Sequence, residues 1–107
     1  MDKSLSLEQL AGQAPPYSME AEQSVLGAVL ADPSRLAAVL EYLKPESFYN
    51  SYNRGIFSVL MRMFLASQSI DIITVLDRVC REGVFPTEED AKIYLAKLVD
   101  VYKRQIR

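Results

Sequence analysis

Histidine and tryptophan are absent from the 107-residue sequence, which has only one cysteine and four glycines. Without histidine, the chain lacks a common zinc ligand and the base of every Ser-His or Cys-His catalytic pair. The glycines lie far apart, and no P-loop of the type G-x-x-x-x-G-K-[ST] occurs. We therefore expect no catalytic residue, metal site or cofactor site in this chain.

Cysteine content and hydropathy indicate the cellular compartment in which the protein is expected. Because Cys80 is the only cysteine, no disulfide can form within the chain, which indicates a reducing compartment. Cys80 falls late in an apolar helical pattern, where a small buried hydrophobic residue is favoured over a reactive thiol. No stretch is apolar enough to span a membrane, and residues 1–12 do not resemble a signal peptide. We predict a cytoplasmic protein without membrane association.

The charge balance bears on possible partners. Twelve basic and 14 acidic residues give a net charge of −2. A domain that binds DNA phosphates usually gathers Lys and Arg on one face, but here the arginines are scattered along the sequence. We expect a protein partner and no direct DNA binding. A small nucleic-acid-binding helical domain stays an alternative, which salt-dependent retention on DNA would support.

Apolar residues recur at the spacing of helices. Stripes at i, i+3, i+4 and i+7 cover most of the chain, and neither strand-like alternation nor Asn-Gly or Asp-Gly hairpin turns occur. The predicted fold is all-α, a compact bundle of about five helices over residues 18–99. A flexible N-terminal arm is predicted for residues 1–17, where Gly12, Pro15 and Pro16 interrupt any helix.

Capping residues and prolines predict the helix boundaries. Ser18 and Asp71 can accept hydrogen bonds from first-turn amides, and Gly83 can adopt the left-handed conformation that closes a helix. Asp32-Pro33 opens a helix that Pro45 ends. The predicted helices cover 19–30, the stretch from Pro33 to Pro45, about 52–66, the stretch from Asp71 to Gly83, and the segment after Thr87.

The same spacing predicts which residues are buried. Gly27 inside the first helix is explained if another helix backbone comes close to it. The turn after Pro45 is predicted to tuck Phe48 and Tyr49 inward. The buried face of the third helix is predicted to comprise Ile56, Val59, Leu60, Met63 and Phe64.

Polar and aromatic residues near element ends have two interpretations. Tyr49, Tyr52 and Tyr94 are typical of interface anchors, but each ring could equally pack in the core with its hydroxyl in water. The neighbouring carboxylates Glu88 and Glu89 suit the start of a helix better than acid–base catalysis.

The run from Pro15 to Gly27 reads P-P-Y-S-M-E-A-E-Q-S-V-L-G. This run resembles the N-terminal domain of DnaB-family replicative DNA helicases, which reads P-P-x-S-[IM]-E-A-E-x-x-V-L-G. Weaker resemblances follow in the family's order over about residues 14–99, and they are Asp32-Pro33, Pro45-Glu46-Ser47-Phe48-Tyr49, Asn53-Arg54-Gly55-Ile56-Phe57, Ile70-Asp71-Ile72-Ile73-Thr74-Val75 and Tyr94-Leu95-Ala96-Lys97-Leu98. Asn53 stands where the family often has His, and Ser69 where it often has Pro.

The resemblance implies a non-catalytic interaction domain. In the family, this domain forms the collar of a hexameric ring, docks the primase within the primosome and, in some bacteria, meets a helicase loader. ATP, Mg²⁺ and DNA unwinding belong to a RecA-like ATPase elsewhere in the parent helicase. For partner contact, the resemblance favours Tyr94 and the surface of the last helix. A free-standing helical adaptor or helicase-loader-like protein is the alternative.

The last residues depart from the family. The helical hairpin that follows this domain in the family is expected to be missing, so the fragment is predicted to be a monomer or weak dimer. Asp100 to Gln105 resembles the translation of a transposase adapter used for sequencing libraries. Residues 100–107 are therefore predicted to be a non-native tail, which sequencing of the source DNA past codon 99 would test.

Overall fold

Five α-helices and two 3-10 turns make up residues 18–105, the part of the chain that the computed structural model describes. No strand occurs within this part, and the predicted all-α bundle is confirmed. The predicted arm, residues 1–17, lies outside the described residues. The helices are α1 (Met19–Ala31), α2 (Leu36–Val39), α3 (Ser51–Leu65), α4 (Ile72–Arg81) and α5 (Glu88–Gln105), and the 3-10 turns are Pro33–Arg35 and Pro45–Ser47.

Local capping bonds fix the helix starts that the sequence predicts. The Ser18 hydroxyl accepts a hydrogen bond from the Ala21 amide at 3.3 Å. At α4, the Asp71 carboxylate accepts from the Thr74 amide at 2.9 Å, and the Thr74 hydroxyl accepts from the Asp71 amide at 3.0 Å. These bonds satisfy first-turn amides that have no partner inside the helix, so the predicted starts are confirmed.

The second predicted helix is shorter than its apolar stripe indicates. Regular α-helix ends at Val39, so the prediction of a helix continuing to Pro45 is wrong in its second half. The chain tightens there, and the Tyr42 amide donates to the Val39 carbonyl at 3.0 Å, three residues back. Pro45 then holds Lys44 extended, with φ −127° and ψ 166°. Leu43 is still buried, because its amide donates to the Val39 carbonyl four residues back at 2.9 Å, which keeps it one turn beyond the buried Val39.

The core lies where α1, α3 and α5 meet, with α2 and α4 packed against it. Phe48 is buried as predicted, and its ring lies 4.8 Å from that of Phe57. Tyr49 is 63% exposed, so its predicted burial is wrong. The predicted burial of Phe64 is also wrong, because Met63 takes the inward position and the next residue lies about 100° further round the helix.

A close contact between backbones joins α1 to α5. A Cβ atom on Gly27 would lie 2.2 Å from the Leu98 carbonyl oxygen and 2.8 Å from the Cβ of Tyr102. No side chain fits in that space. This approach confirms the interpretation that Gly27 serves the packing of another helix.

Replacing Gly27 by Ala should destabilise the fold. Alanine favours a helix by about 1 kcal/mol, but overpacking costs about 1–3 kcal/mol, and here the obstacle is backbone, which moves with the whole helix. Urea unfolding followed by circular dichroism measures the change. Gly55→Ala is the comparison, with a smaller loss expected because its added Cβ meets only the Val84 side chain. A Gly27→Ala midpoint at or above that of the wild type would contradict this account.

Two helices end with the same left-handed closing turn. Gly83 has φ 70°, and the Val84 amide donates to the Val79 carbonyl at 3.0 Å. Ser67 has φ 57°, and the Gln68 amide donates to the Met63 carbonyl at 2.9 Å. The role predicted for Gly83 is confirmed. At Ser67 a residue with a Cβ occupies a conformation that favours glycine.

Exchanging these residue types should shift stability in opposite directions. Ser67→Gly removes a left-handed strain of about 1 kcal/mol and should raise the unfolding midpoint, despite the extra freedom of glycine in the unfolded chain. Gly83→Ala should lower the midpoint by a similar amount, although nothing lies within 4 Å of the added Cβ. Thermal unfolding of both variants is the measurement. A lower midpoint for Ser67→Gly would show that the turn is not strained.

The last helix continues through the predicted non-native tail to Gln105. Val101 is buried because it follows Leu98 at helical spacing, so the structure has no break at residue 99. The origin of residues 100–107 stays a prediction, and residues 106–107 lie outside the described part. Among residues 18–105, no helix has the length and apolar character needed to cross a membrane.

Candidate partner-binding groove

A groove runs beside α5, between that helix and the start of α3. We call it the aromatic groove. Its exposed apolar members are Ile93 (60% exposed) and Tyr52 (38% exposed). The predicted partner residue, Tyr94, lies in the groove and is half-buried. The lining residues are Tyr52, Phe85, Asp90, Ile93, Tyr94 and Lys97.

Three rings form the floor of the aromatic groove. Tyr52 stacks on Phe85, with centroids 4.7 Å apart and planes 6° from parallel. Tyr94 packs at a tilt against both rings, 5.5 Å from Phe85 and 5.9 Å from Tyr52. Such mutual contacts leave each ring little freedom to rotate. The floor is therefore an apolar surface of defined shape.

Opposite charges flank this floor. Asp90 and Lys97 are both exposed, and they lie seven residues apart on α5, which is about 10 Å along the axis. Ile93 lies between them. An apolar strip flanked by one acidic and one basic side chain fits a partner helix with an apolar face better than it fits a small polar ligand.

A chain of polar contacts lies beneath the groove. The Tyr94 hydroxyl donates to Asn53 Oδ1 at 2.6 Å and accepts from Gln23 Nε2 at 3.2 Å. Asn53 Nδ2 donates to Glu22 Oε1 at 2.8 Å. Asn53 is fully buried and Gln23 is 6% exposed. We call Glu22, Gln23, Asn53 and Tyr94 the buried relay, which connects α1, α3 and α5.

Glu22 also caps a helix to which it does not belong. Its Oε2 accepts from the Tyr49 amide at 2.7 Å, and its Oε1 accepts from the Asn50 amide at 3.3 Å. The carboxylate thus lies at the positive N-terminal end of α3. Glu22 thus holds Tyr49 through its backbone amide, while the Tyr49 side chain is 63% exposed.

The structure gives Asn53 a role that the sequence does not indicate. The sequence identifies Asn53 only as a departure from the family at a helix boundary. One signal in the sequence points to the relay: Gln23 precedes Leu26 by three residues and so puts a polar group on the inward face of α1. Nothing local identifies Asn53 as its neighbour, since 30 residues separate the two positions (53 − 23).

A second concave surface lies between the end of α3 and α4. Ile73, which lines this surface, is 70% exposed. Arg81 pairs with Asp77 at 2.8 Å, and Arg78 donates to the Gln68 side chain. These internal contacts engage both cations, so the surface shows no preference for an anionic ligand.

Reactive groups are scarce in the described part of the chain. Burial, followed by the charges of Glu88 and Asp77, raises the pKa of the half-buried Cys80 thiol. Residues 18–105 hold no cluster of three or more His, Cys, Asp or Glu side chains that could bind a metal ion. The Glu88 and Glu89 carboxylates lie in the first turn of α5, which agrees with their interpretation as a helix start.

Asn53→Ala should destabilise the domain. The substitution removes the acceptor of the Tyr94 hydroxyl's hydrogen bond and one of the donors to Glu22. An unsatisfied buried polar group costs about 1–3 kcal/mol. Urea unfolding gives the difference in the free energy of unfolding. Ser58→Ala, on the same helix and away from the relay, is the matched control and should change little. Equal stabilities of the two variants would contradict the relay.

The fold and the groove together define a small all-helical domain with a surface suited to a helical partner. The model of the DnaB-like helicase N-terminal domain family matches residues 14–105, and the chain belongs to this family. The match extends to residue 105, whereas the sequence motifs described above end near residue 99.

Replicative helicases are among the similar proteins. The chain is 39% identical over 93 residues to the replicative DNA helicase DnaB of Rhodothermus marinus, covering 87% of this chain and 10% of that protein. It is 44% identical over 61 residues to the Geobacillus stearothermophilus protein of the same name, covering 57% of this chain and 13% of that protein. For the Treponema pallidum protein, the values are 38% over 95 residues, 87% and 21%. The chain thus spans about a tenth to a fifth of these relatives.

A solved structure shares the fold. The crystal structure of the N-terminal domain of DnaB helicase from Mycobacterium tuberculosis superposes with a TM-score of 0.61 at 25% identity. The superposition covers 85% of this chain and 76% of that chain. The DnaB N-terminal fold predicted from the motifs is therefore confirmed.

Proposed function

We propose that this chain is the non-catalytic N-terminal interaction domain of a replicative DNA helicase, serving hexamer collar assembly and primase docking in DNA replication. Membership of the family and the three helicase relatives support the proposal. The parent protein would be an ATP-dependent, DNA-unwinding enzyme of the cytoplasm that binds ATP and Mg²⁺ in another domain. The domain proper would comprise residues 18–99, with residues 100–107 as a non-native tail.

The proposal of primase docking rests on the aromatic groove. Ile93 is a large apolar side chain, more than half exposed, above a floor of three packed rings. A few central side chains that become buried on binding contribute most of the binding energy at protein interfaces. A helix of the primase, or of a helicase loader, would place its apolar face against Ile93 and Tyr94. Its charges would pair with Asp90 and Lys97.

Direct DNA binding is not part of this proposal. Binding to the DNA backbone needs cations free to meet phosphates. Three of the arginines have partners within the chain: Arg62 forms a salt bridge with Glu82, Arg81 pairs with Asp77, and Arg54 donates to the carbonyls of Phe48 and Tyr49. The chain also carries a net charge of −2. Both observations favour a protein as the partner.

The chain should bind primase through Ile93. We expect measurable binding by isothermal titration calorimetry to at least one purified primase from Rhodothermus marinus, Geobacillus stearothermophilus or Mycobacterium tuberculosis. Ile93→Lys should weaken binding at least about tenfold, since central anchors contribute about 2 kcal/mol or more. The fold should be unaffected, because Ile93 faces solvent.

The matched control is Ile73→Lys, which changes an exposed isoleucine, 70% against 60% for Ile93, on the surface between α3 and α4. It should leave the affinity unchanged. The corresponding domain of each relative, tested with its own primase, is the positive control. Binding to none of the three primases, with all positive controls binding, would overturn primase docking. A loss with Ile73→Lys instead of Ile93→Lys would move the docking site to the other surface.

A further inference from the structure

We propose that Asn53, although buried, is a positioning residue for partner binding, because it holds the ring of Tyr94 at the angle that shapes the aromatic groove. This inference rests on the proposed function and assigns to that site a residue that no partner touches. Asn53 lies on α3 and is fully buried, and its side chain accepts a hydrogen bond from the Tyr94 hydroxyl of the groove.

Two independent sets of contacts determine the orientation of the Tyr94 ring. The ring packs at a tilt against Phe85 and Tyr52, which restricts its rotation. At the far end of the side chain, the hydroxyl forms hydrogen bonds with Asn53 on α3 and Gln23 on α1 and lies 3.9 Å from Met19 Sδ. The polar contacts therefore hold the end of the ring that lies farthest from the α5 backbone.

The direction of every hydrogen bond in the relay follows from Glu22. The Glu22 carboxylate accepts from two backbone amides, which can only donate. Its Oε1 also accepts from the Asn53 amide nitrogen, so the Asn53 oxygen must face Tyr94. Tyr94 then has to donate to Asn53, and its oxygen is left to accept from Gln23. Because every hydrogen bond of the relay has only one possible direction, the relay favours a single arrangement of its side chains. That arrangement holds the Tyr94 ring in one position in the groove.

A double-mutant cycle on primase affinity tests the inference. Asn53→Ala leaves every residue of the groove lining unchanged, Tyr94→Phe removes only the Tyr94 hydroxyl, and each breaks the same hydrogen bond. We expect each to weaken binding about five- to tenfold, the equivalent of one hydrogen bond. The double variant should bind no more weakly than the weaker single variant, because the second change has nothing left to remove. Wild-type affinity in both single variants would overturn the inference.

If Asn53 only stabilised the fold, any variant of similar instability would lose affinity for primase. The variant Val79→Ala tests this possibility. Val79 is fully buried on α4, a helix that contributes no residue to the aromatic groove or to the relay, and its truncation destabilises the core. With all variants fully folded at the assay temperature, Val79→Ala should retain wild-type affinity. If Val79→Ala weakens binding as much as Asn53→Ala does, loss of stability explains both and the positioning role is wrong.

Failure of the proposed function gives a distinct outcome. If Ile93→Lys binds normally, the groove is not the docking site, and the positioning of Tyr94 must be measured without a partner. The aromatic ¹³C–¹H resonances of ring-labelled tyrosine in the isolated chain provide this measurement. The Tyr94→Phe spectrum assigns the Tyr94 resonances. We expect Asn53→Ala to shift and broaden the Tyr94 resonances, whereas Val79→Ala should not. Unchanged Tyr94 resonances in Asn53→Ala would overturn the inference whatever the partner.

Discussion

The approach of α1 to α5 at Gly27 sets the geometry of the whole domain. With hydrogen in place of a side chain, the α1 backbone rests almost directly on the Leu98 carbonyl. Gln23 and Tyr94 each lie four residues, about one helical turn, before Gly27 and Leu98. The two helices therefore run side by side in the same direction, and their close approach at Gly27 lies one turn from the hydrogen bond that joins Gln23 to the Tyr94 hydroxyl. Both the core and the buried relay depend on this contact.

The same arrangement of helices forms the aromatic groove at the surface of the domain. α5 contributes Ile93 and Tyr94 to it, α3 contributes Tyr52, and the segment between α4 and α5 contributes Phe85. The ring floor is supported from below by the hydrophobic core, to which Phe85 belongs, and by the polar contacts of the Tyr94 hydroxyl. A surface supported in this way keeps its shape before a partner arrives, which lowers the entropic cost of binding. This suits a domain that, in its family, belongs to a much longer protein.

Helix starts and ends could be predicted from the sequence because they depend on neighbours within a few residues. Ser18, Asp71 and Gly83 perform their capping roles through local hydrogen bonds and backbone conformation, and the sequence displays each of them directly. Burial within a stripe is harder to predict. Phe64 and Met63 are both apolar and adjacent, and only the packing of α4 decides which of them faces inward.

Only the surface part of the candidate site could be predicted from the sequence. Tyr94 was identified through the family resemblance, and its role in partner contact stays a prediction. Asn53 and Glu22 could not be identified, because a polar residue becomes part of a relay through contacts between distant segments. Asn53 and Glu22 are 31 residues apart, and Asn53 and Tyr94 are 41 apart. Periodicity carries no information about such pairs.

The position of Glu22 has a consequence for how the chain reaches its fold. The first turn of α3 takes part of its capping from Asn50 nearby and part from a carboxylate on α1. The complete cap therefore exists only after α1 has docked, and α3 on its own would fray at its beginning. Helix formation and tertiary assembly are coupled at this point, because the charge that stabilises one helix is delivered by the arrival of another. α1 thus acts on α3 as an intramolecular ligand, and the two gain stability together.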